Sequence, residues 1–214
     1  VKNEGVEMAE LDKRFASRGV SVLESTATGG VQAAWKGHVT LFVGGEQSVF
    51  DTQRPVLEAI ADRIYFMGAL GNATITKLIT NTMLFVTQAA LSEGLLLGKK
   101  AGLDLSHLLE AIQGSYAGSF VADVDGPQIL DGSYDPTFEV GLVAKDLRLG
   151  TALGEEYRAP LEVVKFVAER VYQAHEKYGE QAGALVAAKL LEESSGVSLR
   201  APWPPAKSAL TRKS

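Results

Sequence analysis

Residues 68–81, GALGNATITKLITN, begin with two glycines three positions apart and continue into helical apolar spacing that persists to about 101. Paired glycines suit a tight strand-to-helix connection, because glycine adopts left-handed backbone angles without a steric cost. The helix that follows, about 74–101, would be about 40 Å long at 1.5 Å per residue, the spine of a helical domain. The stretch divides the sequence into two textures. Upstream, VSVLE at 20–24 predicts a strand, HVTLFVGG a second at 39–43 and RIYFMG a third at 63–68. SVFDTQRPVLEAIA at 48–61 predicts an intervening helix, with Pro55 near its start or at a break. A helix is also predicted over 6–18 through Val6, Met8, Leu11 and Phe15, with Gly19 as its cap. Downstream, helices are predicted at about 105–113, 119–130, 140–155, 160–178 and 180–195, followed by an extended or mobile tail rich in proline. The expected organisation is an α/β piece over 1–71, an all-α domain over 72–196 and a tail over 197–214.

Composition narrows the function. The chain has 214 residues, 46% hydrophobic and 22% charged, which is enough apolar material for a core. Its net charge is −5 and no run of five or six like charges occurs, so nucleic acid and anionic membrane surfaces are not expected partners. With no cysteine, thiolate catalysis and disulfides are excluded. His38, His107 and His175 are far apart and lack metal-ligand spacing, so no metal site is expected. The apolar run from Leu78 to Leu97 carries Asn81, Gln88 and Glu93, which suit a buried helix better than a bilayer. The opening VKNEGVEMAELDKRF lacks the apolar core of a secretory signal, and a cytoplasmic protein is expected. The first residue is Val1, not Met, which raises the expectation of processing or of sequence upstream.

Three segments can carry chemistry. Lys77 and Asn81 stand four apart on the long helix, so an ammonium and an amide project from one face toward one ligand. The plainer reading is a solvated lysine and an interhelical hydrogen-bonding amide. In STATGG at 25–30, the hydroxyls of Thr26 and Thr28 and the amides of Gly29 and Gly30 can hold a carboxylate or phosphate; the plainer reading is a glycine turn. KDLRLG at 145–150 offers Lys145 and Asp146, otherwise an exposed charge pair, and Phe138 precedes it, otherwise a core residue.

Taken in order, these segments resemble the β-hydroxyacid dehydrogenase family, the 3-hydroxyisobutyrate dehydrogenase-like enzymes. ESTATGG at 24–30 looks like the family's DAPVSGG segment, GALGNATITKLITN like its GxxGxGxxxKLxxN region, and KDLRLG like its KDLxLA segment. The resemblance covers about 10–196. It implies an α/β fragment of a Rossmann-type nucleotide-binding domain, followed by an all-α C-terminal domain with a long spine helix. It implies that Lys77 exchanges a proton with the substrate oxygen, that Asn81 orients that oxygen or the lysine, and that Thr28, Gly29 and Gly30 hold the carboxylate of a small 3-hydroxy acid or semialdehyde. Lys145 and Phe138 would lie beside NAD or NADP, and the helical domain would pair with another subunit in a dimer or tetramer.

The sequence departs from the family pattern at Glu24, Thr26, Thr28 and Ala73, where the family has Asp, Pro, Ser and Gly. It also contains no GxGxxG loop after its first strand, the usual dinucleotide cradle. The implied chain therefore starts within the second half of the nucleotide domain. Two other readings follow: a non-catalytic helical oligomerisation or small-acid-binding module, and an imine-reducing relative, which Lys77 disfavours.

Overall fold

The computed structural model describes residues 4–206. Its elements run α1 (Glu4–Ala16), β1 (Glu24–Thr28), α2 (Gly30–Trp35), β2 (Thr40–Gly44), α3 (Gln47–Glu58), β3 (Arg63–Phe66), α4 (Asn72–Lys100), α5 (Leu105–Gln113), α6 (Phe120–Asp131), α7 (Val140–Glu156), α8 (Glu162–Tyr178) and α9 (Val186–Ser195). This is a small α/β region with the strand content of a partial Rossmann domain, followed by an all-α region. Two units result: one holds residues through Asn81 together with Leu149–Pro160, the other Thr82–Arg148 and the residues from Leu161 onward. The division falls inside α4, one turn beyond Lys77.

In the first unit the strands order β1-β2-β3, with β1 antiparallel and β3 parallel to β2. Successive side chains alternate faces, so Leu41 and Val43 project to one side and Thr40, Phe42 and Gly44 to the other. The first side packs under α3, where Phe50 meets Leu41 and Val43 with Leu23, Ile64 and Phe66 around them. The Phe50 and Phe66 rings stack with centroids 4.8 Å apart. Pro55 stands inside α3, not at its start, and there removes a backbone donor. A second cluster in this unit, Leu78 with Leu149 and Leu153 and with Ile75 beside it, seats the first turns of α4.

Two elements differ from the sequence reading. The first strand is not VSVLE but Glu24–Thr28, because the ladder to β2 pairs Glu24 with Gly44 and Thr28 with Thr40. Of the apolar residues before it, Leu23 packs under α3 while Val20 is exposed. The short α2 was not anticipated. In α1, Leu11 and Phe15 of the predicted apolar stripe are exposed and Met8 is half-buried; the Val6 side chain lies outside the described residues.

In the second unit, Phe85 of α4 packs with Val143 and Leu147 of α7 and with Val167 and Val171 of α8. A second cluster joins Leu95, Leu105, Leu109, Ile129 and Leu199. The start of α9 comes six residues later than the spacing suggested, because 182–184 instead hydrogen-bond to neighbours of the 134–140 turn: Val140 N–H donates to Ala182 O at 2.8 Å and Ala184 N–H to Asp135 O at 3.2 Å. The segment after α9 is extended, as expected, and is packed through Trp203; residues 207–214 lie outside the described residues. Among the described residues no helix is long and apolar enough to cross a membrane, and no group of three or more metal-ligating side chains occurs.

Candidate functional site

Alternation along β1 puts Glu24, Thr26 and Thr28 on one face of the strand. The first two are fastened to the start of α4. Thr26 Oγ1 donates to Ala73 O at 3.1 Å. Glu24, 4% exposed, accepts from Gly71 N–H at 2.7 Å and Thr74 N–H at 3.0 Å, and the Thr74 hydroxyl also donates to it. Thr28 is the next residue on that face, and Lys77 lies three residues beyond Thr74 and four beyond Ala73, on the same side of the helix. The turn into α4 needs its glycines, since Gly68 has φ of 86° and Gly71 of 93°.

Thr28 is half-buried at the end of β1, opposite Thr40. Gly29 follows with φ of 126°, and a Cβ there would stand 2.8 Å from the Ala33 Cβ; Gly30, φ 70°, faces open space. The turn thus requires glycine at 29 and leaves room at 30. Lys77 is half-buried, and among the described residues its ammonium has no hydrogen-bond or ion-pair partner. A cation so placed retains the capacity to bind an anionic or carbonyl oxygen. Asn81 is also half-buried and takes part in other interactions.

Lys145 and Phe138 belong to the second unit. Lys145 Nζ stands 3.2 Å from Asp146 Oδ1, but Asp146 is buried, so the pair is not the exposed one of the plainer expectation, and Phe138 packs against the Val143 cluster. The sequence reading missed the Glu24 contact, because its partners are 47 and 50 residues away and no local pattern announces them.

A dinucleotide's pyrophosphate needs open backbone donors at a strand-to-helix turn, a requirement that bears on the turns into α4 and α3. At the start of α4 the amides of Gly71 and Thr74 are occupied by the Glu24 carboxylate, which would repel a pyrophosphate. At the start of α3 the backbone is covered, since a Cβ on Gly45 would stand 2.6 Å from Leu23 Cδ2. Neither turn fits the cofactor's phosphates.

Comparison with known proteins now identifies the class. Residues 71–191 match the family described as the NAD-binding domain of NADP-dependent 3-hydroxyisobutyrate dehydrogenase, and 5–68 match the NAD binding domain of 6-phosphogluconate dehydrogenase. The chain is 29% identical over 194 residues to 2-(hydroxymethyl)glutarate dehydrogenase of Eubacterium barkeri, covering 89% of this chain and 64% of that enzyme. It is 30% identical over 166 residues to the cytokine-like nuclear factor N-PAC of Xenopus tropicalis, covering 78% of this chain and 31% of that protein. A solved 3-hydroxyisobutyrate dehydrogenase of Mycobacterium tuberculosis with L-serine superposes with a TM-score of 0.77 at 25% identity, covering 87% of this chain and 66% of that one. The chain belongs to the β-hydroxyacid dehydrogenase family, whose members use NAD(P). It spans less than two thirds of the length of the relatives it matches.

Proposed function

We propose that this chain carries the substrate-binding and proton-handling part of an NAD(P)-dependent oxidoreductase of the 3-hydroxyisobutyrate dehydrogenase type, acting on a small 3-hydroxy acid or semialdehyde. One observation carries this reading: the β1 face leading to Thr28 is fastened along the first turn of the helix that bears Lys77, whose ammonium has no partner among the described residues. In this family the nicotinamide supplies or accepts the hydride. The chain's own residues do the rest. Thr28 and the amides of Gly29 and Gly30 hold the substrate carboxylate. Lys77 takes the hydroxyl proton in oxidation and returns it to the carbonyl oxygen in reduction, its charge stabilising alkoxide character on that oxygen. Asn81 orients the same oxygen or the lysine. Lys145 and Phe138 are assigned to the cofactor's surroundings on family resemblance. The first unit then serves as the later part of a nucleotide-binding domain, and the helical unit as a substrate and oligomerisation domain in a cytoplasmic homo-oligomer.

The test is NAD(P)H-linked turnover of short 3-hydroxy acids and semialdehydes by this chain and by any longer natural form of it. Lys77→Ala is expected to lower kcat by about 10²- to 10⁴-fold; unchanged turnover in that variant removes Lys77 from the mechanism. A second reading, a non-catalytic oligomerisation or small-acid-binding module, is favoured by the Glu24 carboxylate occupying the amides at the turn into α4 and by the covered backbone at Gly45. It requires carboxylate binding or self-association without dinucleotide affinity, so calorimetric binding of NAD or NADP by this chain counts against it.

A further inference from the structure

We infer that Glu24 is a positioning residue for Lys77, an inference that rests on the proposed role of Lys77 as the proton-handling group. The Glu24 carboxylate is buried, and it takes three donors from the start of α4: the amides of Gly71 and Thr74 and the Thr74 hydroxyl. Among the described residues no cation pairs with it. Its charge is met by the positive end of the helix, where a carboxylate is favoured. The surroundings are shaped to admit it. Gly44, its partner across the β1–β2 ladder, has no room for a side chain, since a Cβ there would stand 2.9 Å from Glu24 Oε2 and 2.8 Å from Ala69 O. A strand residue, a cross-strand glycine and a helix terminus thus converge on one carboxylate.

The consequence is mechanical. Thr28 is four residues along β1 from Glu24, and Lys77 is three along α4 from Thr74, so the clamp sets the separation between the carboxylate-holding turn and the ammonium. With both termini of Glu24 used as acceptors, the carboxylate cannot be replaced by an amide without turning an NH₂ toward a backbone donor. Displacement of a reacting group by about 1 Å costs on the order of 100-fold in rate. The effect belongs to the chemical step, because Glu24 does not itself touch the substrate.

The experiment compares the native protein with Glu24→Gln and with Thr74→Ala, a milder change that removes only the hydroxyl donor. Lysines are reductively ¹³C-dimethylated, and the Lys77 resonance is assigned by its loss in Lys77→Ala. In Glu24→Gln this resonance is expected to shift while those of Lys99 and Lys189 stay in place. The kcat is expected to fall roughly 10- to 100-fold with KM changed by less than about threefold. Thr74→Ala moves both in the same direction by less, and it carries the same readouts if Glu24→Gln fails to fold. A lower melting temperature with an unmoved Lys77 resonance and unchanged kcat overturns the inference and leaves Glu24 a structural cap. A shifted resonance in a protein without any turnover supports the clamp and overturns the proposed function instead.

Discussion

Asp125 shows how a single carboxylate is governed by its surroundings. It is 8% exposed on α6, and Gln88 Nε2 donates to its Oδ2 at 2.8 Å. Burial pushes its pKa above the usual aspartate value, the Gln88 hydrogen bond opposes this more weakly, and the Asp135 charge adds to the rise. A carboxyl whose folded pKa is raised contributes stability that is complete below the unfolded pKa and is lost as the pH rises through the folded one. Asp125→Asn keeps the acceptor for Gln88 and removes the buried charge. Its melting temperature is therefore expected to exceed that of the native protein at pH 7, with the difference closing as the pH is lowered to about 3, near and below the usual aspartate pKa; scanning calorimetry across that range reads it. At the candidate site, residue chemistry was legible: a lysine and an amide one turn apart and a Thr-Gly-Gly turn stand out in the sequence. That Lys77 has no partner among the described residues was not legible, since partners are set by residues distant in the chain.

Helices were the easiest elements to anticipate. The span of α5, Leu105–Gln113, was given by apolar spacing, and the structure adds its cap, for Asp104 accepts from the His107 N–H at 2.9 Å. Asp104→Ala is expected to lower stability by about 1 kcal/mol, the usual value of such a cap, measured by urea unfolding. The strands were harder. The apolar run at 20–24 suggested a strand that ended where β1 begins, because local pattern reports β-branched apolar residues and not the ladder that selects five positions with polar side chains on one face. The same limit explains α9. Its first six expected residues contain two glycine-flanked turns whose backbone groups are satisfied by the 134–140 segment, an arrangement visible only after folding.

At the scale of the whole molecule, the chain returns on itself through the segment after α9. Leu199 is fully buried beside Leu105, Leu109 and Ile129. Glu192 holds this segment in place: it accepts from Leu199 N–H at 2.5 Å and from Arg200 Nη2 at 2.6 and 2.8 Å, and the Tyr134 hydroxyl also donates to it. Further along, Ser106 Oγ donates to Pro202 O at 2.6 Å. Leu199→Ala is expected to destabilise the helical unit by about 2–5 kcal/mol, read as a lower midpoint in chemical unfolding. The proline-rich composition from 201 onward predicted an extended or mobile tail; its described part is extended, and it is also packed through Trp203 and the Pro202 carbonyl, contacts that local composition does not announce. By itself the sequence determined that an α/β part precedes a helical part, the positions of most of the longer helices and the family, because these follow from periodicity and short ordered motifs. Only the tertiary structure decided which five residues form the first strand, how Glu24 is used and how the end of the chain is held, because each depends on hydrogen bonds and burial between residues far apart in the chain.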